Sequence, residues 1–482
     1  MRDRIRFWRC ADFLSLFLYR KNTDRLRKNK TERNERSMPK TEIRLSDHFT
    51  YGKLLRFVLP SIAMMVFTSI YGVVDGFFVS NFTGKTAFAS INLIMPFMMI
   101  LGGMGFMLGT GGTALVSTVL GEGNREKANR YFSMIIYATA ALGAVLTVIG
   151  LIFMEPVARF LGATDAMLGD CVLYGRITIA FTAGFMLQNV FQSFLIAAEK
   201  PKLGLLATVM AGCTNMALDA LFIAVFRWGV AGAALATGLS QCVGGIFPLI
   251  YFLCPNKSLL RIGAVKPRLR PILHACANGS SELMSNVSSS VVSMLYNFQL
   301  LRYIGEDGVS AYGVLMYVQF IFIAILVGFA IGSAPIVSFH YGANNLPELR
   351  NMLKKSVWLM SISGAALFLL AELLAAPLAQ MFVGYDAGLY ALTVRAFRLF
   401  AFSFLLAGFN IEASSFFTAL GNGGISAAIS FLRTLVFQTA AVLILPMLFE
   451  DGIWLANAAA EVFACVISVI FLFAKRKKYG YF

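Results

Sequence analysis

Charged residues are scarce in this sequence, and the motifs of soluble enzymes are missing. Only 14% of its 482 residues are charged, whereas soluble domains carry about 25%. It contains no HExxH, no GxSxG and no Walker A motif, and no GxGxxG sequence opens a soluble domain. We therefore expect neither an enzyme nor an ATPase, so any energy for work must come from an ion gradient or from a separate protein.

Cysteine and histidine are too few and too scattered for a metal or redox centre. The seven cysteines form no CxxC pair, and most of them lie in or beside apolar runs. We interpret them as small apolar side chains of the helices. The three histidines lie far apart in the sequence. No cofactor is expected.

Apolar residues, in contrast, make up 58% of the sequence and give a mean hydropathy of +0.72. They occur in blocks of roughly twenty, the length that a helix needs to cross the hydrocarbon core of a bilayer. A β-barrel would show alternating segments of about ten residues instead. The sequence therefore predicts an all-α integral membrane protein with twelve transmembrane helices. They are expected near residues 54–80, 88–119, 131–154, 171–198, 203–226, 231–253, 273–303, 310–340, 353–382, 389–420, 425–449 and 452–474.

The net charge of +16 reflects membrane topology rather than a nucleic-acid partner. Ten Arg and four Lys lie within residues 1–50, a predicted basic cytoplasmic tail. Beyond it, one set of alternate loops holds seventeen basic residues and the opposite set holds four. This positive-inside bias predicts a multi-pass protein of the plasma membrane, with both termini in the cytoplasm and membrane lipids as contacts. Met38 is an alternative start of the chain; if residues 1–37 are translated, residues 13–19 would form part of an interfacial amphipathic helix.

The second half of the chain repeats the first at an offset of about 222 residues. Gly105 corresponds to Gly328, and Gly121 corresponds to Gly342. Because each unit holds six spans, an even number, the two six-helix bundles have the same orientation and the repeat is parallel. The predicted segments after the first tail are an N-lobe at 51–255, a cytoplasmic linker at 256–272, a C-lobe at 273–475 and a basic cytoplasmic tail at 476–482.

Acidic residues within the N-lobe spans are the first candidates for a functional site, because a charge in the membrane must face a cavity or a partner. These are Asp75 and Asp219, with Asn215 one helical turn before Asp219. Asn189 and Thr237, in neighbouring spans, would complete a polar cluster. No basic residue lies deep in the first six spans to neutralise the acids. They are expected to be protonated or to bind an incoming cation; the structural alternative is a set of interhelical hydrogen bonds that holds the bundle together.

The C-lobe has its own buried polar residues. Glu282 and Asn297 belong to an unusually polar span and are expected to line a cavity. A helix cap or a lipid-facing position is the alternative for Glu282, since it lies near the cytoplasmic end. Glu412 lies deeper, near Asn410, and both are also candidates to line the C-lobe cavity. Glu461 has no evident partner in the sequence, and we favour a structural role or a contact that the sequence does not show.

Several segments of the sequence resemble the MATE family of multidrug and toxin extrusion transporters. They are FVLPSIAMMVFTSIYGVVDGFFVS (57–80), NMALDALFI (215–223), WGVAGAALAT (228–237) and APIVSFHYGANN (334–345), which resembles the bacterial branch. The resemblance covers roughly residues 45–475. Each match is weak by itself, but together with twelve spans and the duplication they are fairly specific.

The resemblance implies efflux of cationic or amphipathic drugs in exchange for H⁺ or Na⁺ by alternating access. It assigns the cation-coupling site to the N-lobe, with Na⁺ bound, if Na⁺ is the coupling ion, at Asp75, Asn215 and Asp219. The coupling residues that it implies are Asp75, Asn189, Asn215, Asp219 and Thr237. Pro60 in the first span is expected to be a hinge, because proline frees a carbonyl and kinks a helix.

The resemblance also implies a C-lobe acid at Glu282, whereas the family's acid in the tenth span does not align cleanly and falls nearest to Phe409. Family members commonly act as monomers, and a monomer is expected here. The closest alternative function is a lipid-linked saccharide flippase of the same superfamily. Such a flippase would need a cavity rich in Arg and Lys for pyrophosphate, and deep basic residues are scarce in this sequence, with Arg433 as the exception.

Overall fold

The computed structural model describes residues 43–256 and 258–481, so most of the predicted N-terminal tail, with Met38 and residues 13–19, lies outside the described residues. The described part is helical and contains no strand. Its helices are α1 (Tyr51–Phe82), α2 (Lys85–Gly121), α3 (Arg125–Phe160), α4 (Asp165–Ala180), α5 (Thr182–Ala197), α6 (Pro201–Asp219), α7 (Gly229–Leu253), α8 (Leu269–Tyr303), α9 (Glu306–Gly342), α10 (Leu346–Val383), α11 (Ala387–Ala401), α12 (Phe404–Ala419), α13 (Gly423–Phe431), α14 (Gln438–Leu448) and α15 (Gly452–Tyr479). Two π-helices, Ala220–Val225 and Leu432–Phe437, continue α6 and join α13 to α14.

These helices make up the predicted all-α membrane fold. Nine helical segments of the described residues are each long and apolar enough to cross a bilayer, and two bent helix pairs raise that number to eleven. The twelfth unit is α8, whose 35 residues are long enough to span but whose interior is rich in serine and asparagine. The fold class is therefore confirmed.

Two spans are broken rather than continuous, which differs from the expectation of single helices at 171–198 and 389–420. The pair α4 and α5 bends by 55°, and the pair α11 and α12 bends by 43°. Each break lies against a glycine of the preceding span. A Cβ on Gly143 would lie 2.6 Å from the Cα of Ala183, and a Cβ on Gly364 would lie 2.6 Å from the carbonyl oxygen of Phe404. The breaks let the backbones approach closely at corresponding places in both lobes.

The two lobes meet along their first two spans, where α1 packs on α9 and α2 packs on α8 and α9. We call the face of the protein that carries both described chain ends the basic face. There, α2 and α9 cross at Gly121 and Gly342. A Cβ on Gly121 would lie 2.0 Å from the carbonyl oxygen of Phe339, and one on Gly342 would lie 2.0 Å from that of Thr118. The lobes are thus closed against each other on the basic face by a symmetric backbone contact.

A short segment before α1, residues 43–50, ties the two lobes together on the same face; we call it the strap. The backbone N–H of Leu45 donates to Glu199 Oε1 of the N-lobe at 2.7 Å. The backbone N–H of Phe49 donates to Glu348 Oε1 of the C-lobe at 2.9 Å, and His48 Nδ1 lies 2.6 Å from Glu348 Oε2. Leu45 and Phe49 are fully buried within the same apolar core. The strap therefore contacts both lobes with polar and apolar groups.

The C-terminal end folds back onto the C-lobe. The last helix runs to Tyr479, beyond the predicted end of the span at 474, and ends at Gly480 in a left-handed conformation. Arg350 Nε donates to the carbonyl oxygen of Gly480 at 2.9 Å, and the hydroxyl of the buried Tyr481 donates to the carbonyl oxygen of Leu472 at 2.9 Å. The described part of the predicted basic tail is thus packed structure.

Candidate functional site

The structure brings the two N-lobe acids together. Asp75 on α1 faces Asp219 and Asn215 on α6 and Thr237 on α7. Asp219 is the last residue of the regular α-helix, and the π-helix Ala220–Val225 begins directly after it. Such π-helical turns often mark functional sites, because the extra residue re-aims the neighbouring side chains. Four of the five predicted coupling residues therefore share one site.

Most oxygens of this cluster lack a hydrogen-bond partner among the described residues. They are both carboxylate oxygens of Asp219, Oδ1 of Asp75, Oδ1 of Asn215 and Oγ1 of Thr237. Asp219 is fully buried, and no basic side chain faces it among the groups that act on it electrostatically. Buried polar groups are normally paired, and each exception needs an explanation. A cluster of oxygens with two acids is chemically suited to a proton or a small hard cation.

The fifth predicted residue, Asn189, has a different partner. It is buried on α5, and its Nδ2 donates to the carbonyl oxygen of Gly102 on α2 at 3.2 Å. Two tyrosines that were not predicted lie beside the cluster instead: Tyr71 interacts with Gln188, and Tyr174 interacts with Thr237. Tyr71 precedes Asp75 by one helical turn, which was a usable signal, whereas Tyr174 lies on another span and had none.

Pro60 lies within α1, which runs without interruption from Tyr51 to Phe82. Its neighbours Ser61 and Ile62 contact the C-lobe: a Cβ on Gly328 of α9 would lie 2.6 Å from the Cα of Ile62. Ser61 Oγ is buried and has no hydrogen-bond partner among the described residues. The predicted hinge thus lies at the seam between the lobes, on the same helix as Asp75.

A central cavity of about 340 Å³ lies between the lobes. The N-lobe contributes residues of α1, α2 and α5, among them Met65 and Phe106. The C-lobe contributes most of the wall, including acidic, hydroxyl and amide side chains of α8. These are Glu282, Ser285, Asn286, Ser289 and Ser293. The polar composition of α8 is explained by this position, because its polar face lines the cavity.

The C-lobe predictions have mixed outcomes. Glu282 lines the cavity as expected. The expectation for Asn297 is wrong, because it is exposed on the outer surface and does not line the cavity. The expectation is also wrong for Asn410 and Glu412, which are buried behind the wall and do not line the cavity. Ser333 Oγ donates to Glu412 Oε1 at 3.5 Å. Periodicity within α8 could not separate the two faces, because polar residues occur on both.

Sequence reasoning missed a buried ion pair in the C-lobe wall. Arg433, in the π-helix Leu432–Phe437, lies 2.8 Å through Nη2 from Glu461 Oε1. Its Nε donates to Oε1 at 2.8 Å and to Oε2 at 3.0 Å. Asn410 Nδ2 donates to Glu461 Oε2 at 2.7 Å, and Ser468 Oγ donates to Asn410 Oδ1 at 3.1 Å. Glu461 therefore has partners, and a lone arginine in an apolar run was the available signal.

The comparisons with known proteins agree with this architecture. A family model described as MatE matches residues 60–221 and 283–442, one match in each lobe. The chain is 26% identical over 320 residues to the multidrug export protein MepA of Staphylococcus haemolyticus, covering 66% of this chain and 69% of that protein. It is 23% identical over 404 residues to MepA of Staphylococcus aureus strain MRSA252, covering 83% and 86%. Among solved structures, an outward-facing multidrug resistance MATE family transporter of the MOP superfamily superposes with a TM-score of 0.86 at 22% identity, covering 92% of this chain and all of that one.

Proposed function

The chain belongs to the MATE family of bacterial membrane transporters, and we propose that it is a multidrug exporter driven by the exchange of drug for H⁺ or Na⁺. The relatives that are named multidrug export proteins support the substrate class. The observation that carries the exchange mechanism is the pair of facing acids, Asp75 and Asp219, with unpartnered oxygens in the N-lobe.

Two facing carboxylates in a membrane repel each other when both are ionised and unpaired. A bound proton removes the charge of one carboxylate. A bound Na⁺ ion would instead neutralise the charge of one carboxylate, with the carboxylate, amide and hydroxyl oxygens of the cluster as its ligands. Either cation stabilises the arrangement in which Asp75 of α1 faces Asp219 of α6. Releasing the cation favours a different position of α1, so the site acts as a switch that two ligands can bias.

Helix α1 connects this switch to the drug cavity. It carries Asp75 in the coupling site, Met65 in the cavity wall and Ile62 at the contact with α9. A movement of α1 about Pro60 would therefore change the coupling site, the cavity and the seam together. Alternating access would then require the α2–α9 crossing at the basic face, closed in this structure, to open in the other state.

The test is gradient-driven transport by the purified protein in liposomes. Ethidium movement is measured under an imposed pH gradient and, separately, under a Na⁺ gradient. We expect uphill movement with one of the two gradients and its loss in Asp219→Asn, which keeps the size of the side chain and removes its charge. Asp165→Asn is the matched control, because Asp165 has a side chain that is 95% exposed outside the site. Retained uphill transport by Asp219→Asn would overturn the mechanism.

The flippase alternative requires a basic cavity, and the described cavity does not provide one. Among the described residues Arg433 is the only basic one that lines it, and Glu461 binds Arg433 through two guanidinium nitrogens. A lipid pyrophosphate would meet one compensated arginine together with the uncompensated Glu282. The cavity chemistry thus favours drugs, and absence of ethidium movement under either gradient would favour the flippase.

A further inference from the structure

We propose that Arg433 is the anion subsite of the central cavity and binds the carboxylate of zwitterionic amphiphilic substrates. The proposal rests on the proposed export function and narrows its substrate class. It arises from two opposite charges in the C-lobe wall, since Arg433 and Glu282 line the same cavity without pairing with each other.

The geometry of the ion pair leaves one edge of the guanidinium available. Glu461 occupies the side edge of Arg433, formed by Nε and Nη2. Arginine has five N–H donors in a planar fork, so the end edge, formed by Nη1 and Nη2, retains donors. Among the described residues Arg433 donates to no side chain other than Glu461. A second carboxylate can bind this end edge through two parallel hydrogen bonds without displacing Glu461.

Glu461 is held from the opposite side, which fixes the direction that Arg433 faces. Asn410 donates to Glu461 Oε2, and Ser468 in turn donates to Asn410. The glutamate side chain is 6% exposed, whereas the arginine side chain is 16% exposed. Both residues line the cavity, and the arginine side chain is the more accessible member of the pair.

The charges of the cavity favour a zwitterion over a simple anion. Arg433 and Glu461 compensate each other, and Glu282 has no recorded ion-pair partner among the described residues. A simple anion would add negative charge to a cavity that already has an unpaired acid. A zwitterion adds no net charge, since its ammonium group can face Glu282 while its carboxylate binds Arg433.

The test compares a zwitterionic dye with its ester. Rhodamine B has a cationic xanthene and a free carboxylate, and its ethyl ester keeps the cation without the carboxylate. Binding to the purified full-length protein is measured by fluorescence polarisation. The double variant Arg433→Gln/Glu461→Gln removes both charges together, so that neither group is left buried and unpaired. Arg398→Gln/Glu372→Gln is the matched control, an Arg–Glu pair of the same lobe outside the cavity lining.

We expect the double variant to bind rhodamine B about tenfold or more weakly, as for the loss of a charge-assisted hydrogen-bonded pair. Its affinity for the ethyl ester should change by no more than about twofold, and the control should match the wild type for both dyes. Arg433→Lys keeps the charge but loses the planar fork, so its affinity for rhodamine B should be intermediate. If the double variant does not fold, the affinity of Arg433→Lys for rhodamine B, compared with its affinity for the ester, tests the subsite.

Equal changes for acid and ester, or no change for either, would overturn the subsite. So would a wild-type protein that binds the ester and not the acid. The proposed export function is tested separately by gradient-driven movement of the ester in liposomes. If the ester is not exported but rhodamine B binding depends on Arg433, the subsite stands and the export function fails.

Discussion

The two lobes share one fold, but Asp219 of the N-lobe and Glu461 of the C-lobe have opposite surroundings. In the N-lobe, Asp75 and Asp219 face each other and most of their oxygens lack partners among the described residues. In the C-lobe, Glu461 is bound by Arg433 and Asn410. At the offset of the repeat, Asp75 corresponds to Asn297 and Asp219 corresponds to Ala441, so the N-lobe site has no copy in the C-lobe.

The proposed roles of the two sites follow this difference within a duplicated scaffold. Both lobes have a π-helix in their fifth span, but one follows an unpaired acid and the other holds an arginine. Uncompensated acids respond to the cation concentration, which suits coupling. A compensated pair keeps one geometry over a range of conditions, which suits recognition. The following variants test this contrast, beginning with the largest expected effect.

The same chemical change should have opposite consequences for stability in the two lobes. Glu461→Gln leaves Arg433 as a buried, unpaired charge and should destabilise the protein by about 3–5 kcal/mol. Asp219→Asn removes an acid without a counter-charge and should leave stability unchanged or raise it. Thermal unfolding midpoints in one detergent, at one pH and without Na⁺, measure both. Similar midpoints for the two variants would show that the lobes do not differ in this way.

The seam between the lobes should be equally sensitive on both sides. Gly121→Ala and Gly342→Ala each place a Cβ about 2.0 Å from a carbonyl oxygen of the other lobe. Each should destabilise the closed basic face by about 1–3 kcal/mol, as overpacking does. Hydrogen exchange of α2 and α9 near the crossing measures the effect. Gly169→Ala is the control, because no atom lies within 4 Å of its added Cβ. A change in hydrogen exchange no larger than that of the control, for either seam variant, would contradict the symmetric seam.

The hydrogen bonds that hold the strap in place should be stronger on the C-lobe side than on the N-lobe side. Glu348 accepts from the backbone of Phe49 and from Asn351, and it contacts His48. Glu199 accepts from Leu45. We expect Glu348→Gln to weaken the strap by about 1 kcal/mol and Glu199→Gln to weaken it less. Protease sensitivity of residues 43–50 gives the order, and a reversed order would contradict this assignment.

The smallest predicted effect concerns pH at the N-lobe end of the strap. Burial raises the pKa of Glu199 above its usual value of 4.5. The folded protein therefore holds this proton more tightly than the unfolded chain, and the contribution of Glu199 to stability falls as the pH rises from 4.5 through the raised pKa. The difference in unfolding midpoint between wild type and Glu199→Gln should change over this window. A difference that is constant with pH would contradict the prediction.

The N-lobe site could be predicted for two reasons: two of its residues lie one helical turn apart, and burying an acid in the membrane costs free energy. Asn215 and Asp219 are one turn apart on α6, and an acid in an apolar run must be explained. The pairing of Arg433 with Glu461 could not be predicted, because they lie on different spans and only packing brings them together. Asn297 was placed wrongly since a polar residue in a polar span can face either the cavity or the outside.

The sequence by itself determined the membrane fold, the duplication and the acids that are candidates for the coupling site. Apolar length, repeat offset and the cost of a buried charge can all be read from the chain without its tertiary structure. The tertiary structure decided which polar groups meet, where the fourth and tenth spans bend, and how the strap and the glycine crossing close the basic face. These depend on distances between helices far apart in sequence. Apolar runs specify that helices pack, whereas the positions of a few glycines and paired charges specify how they pack.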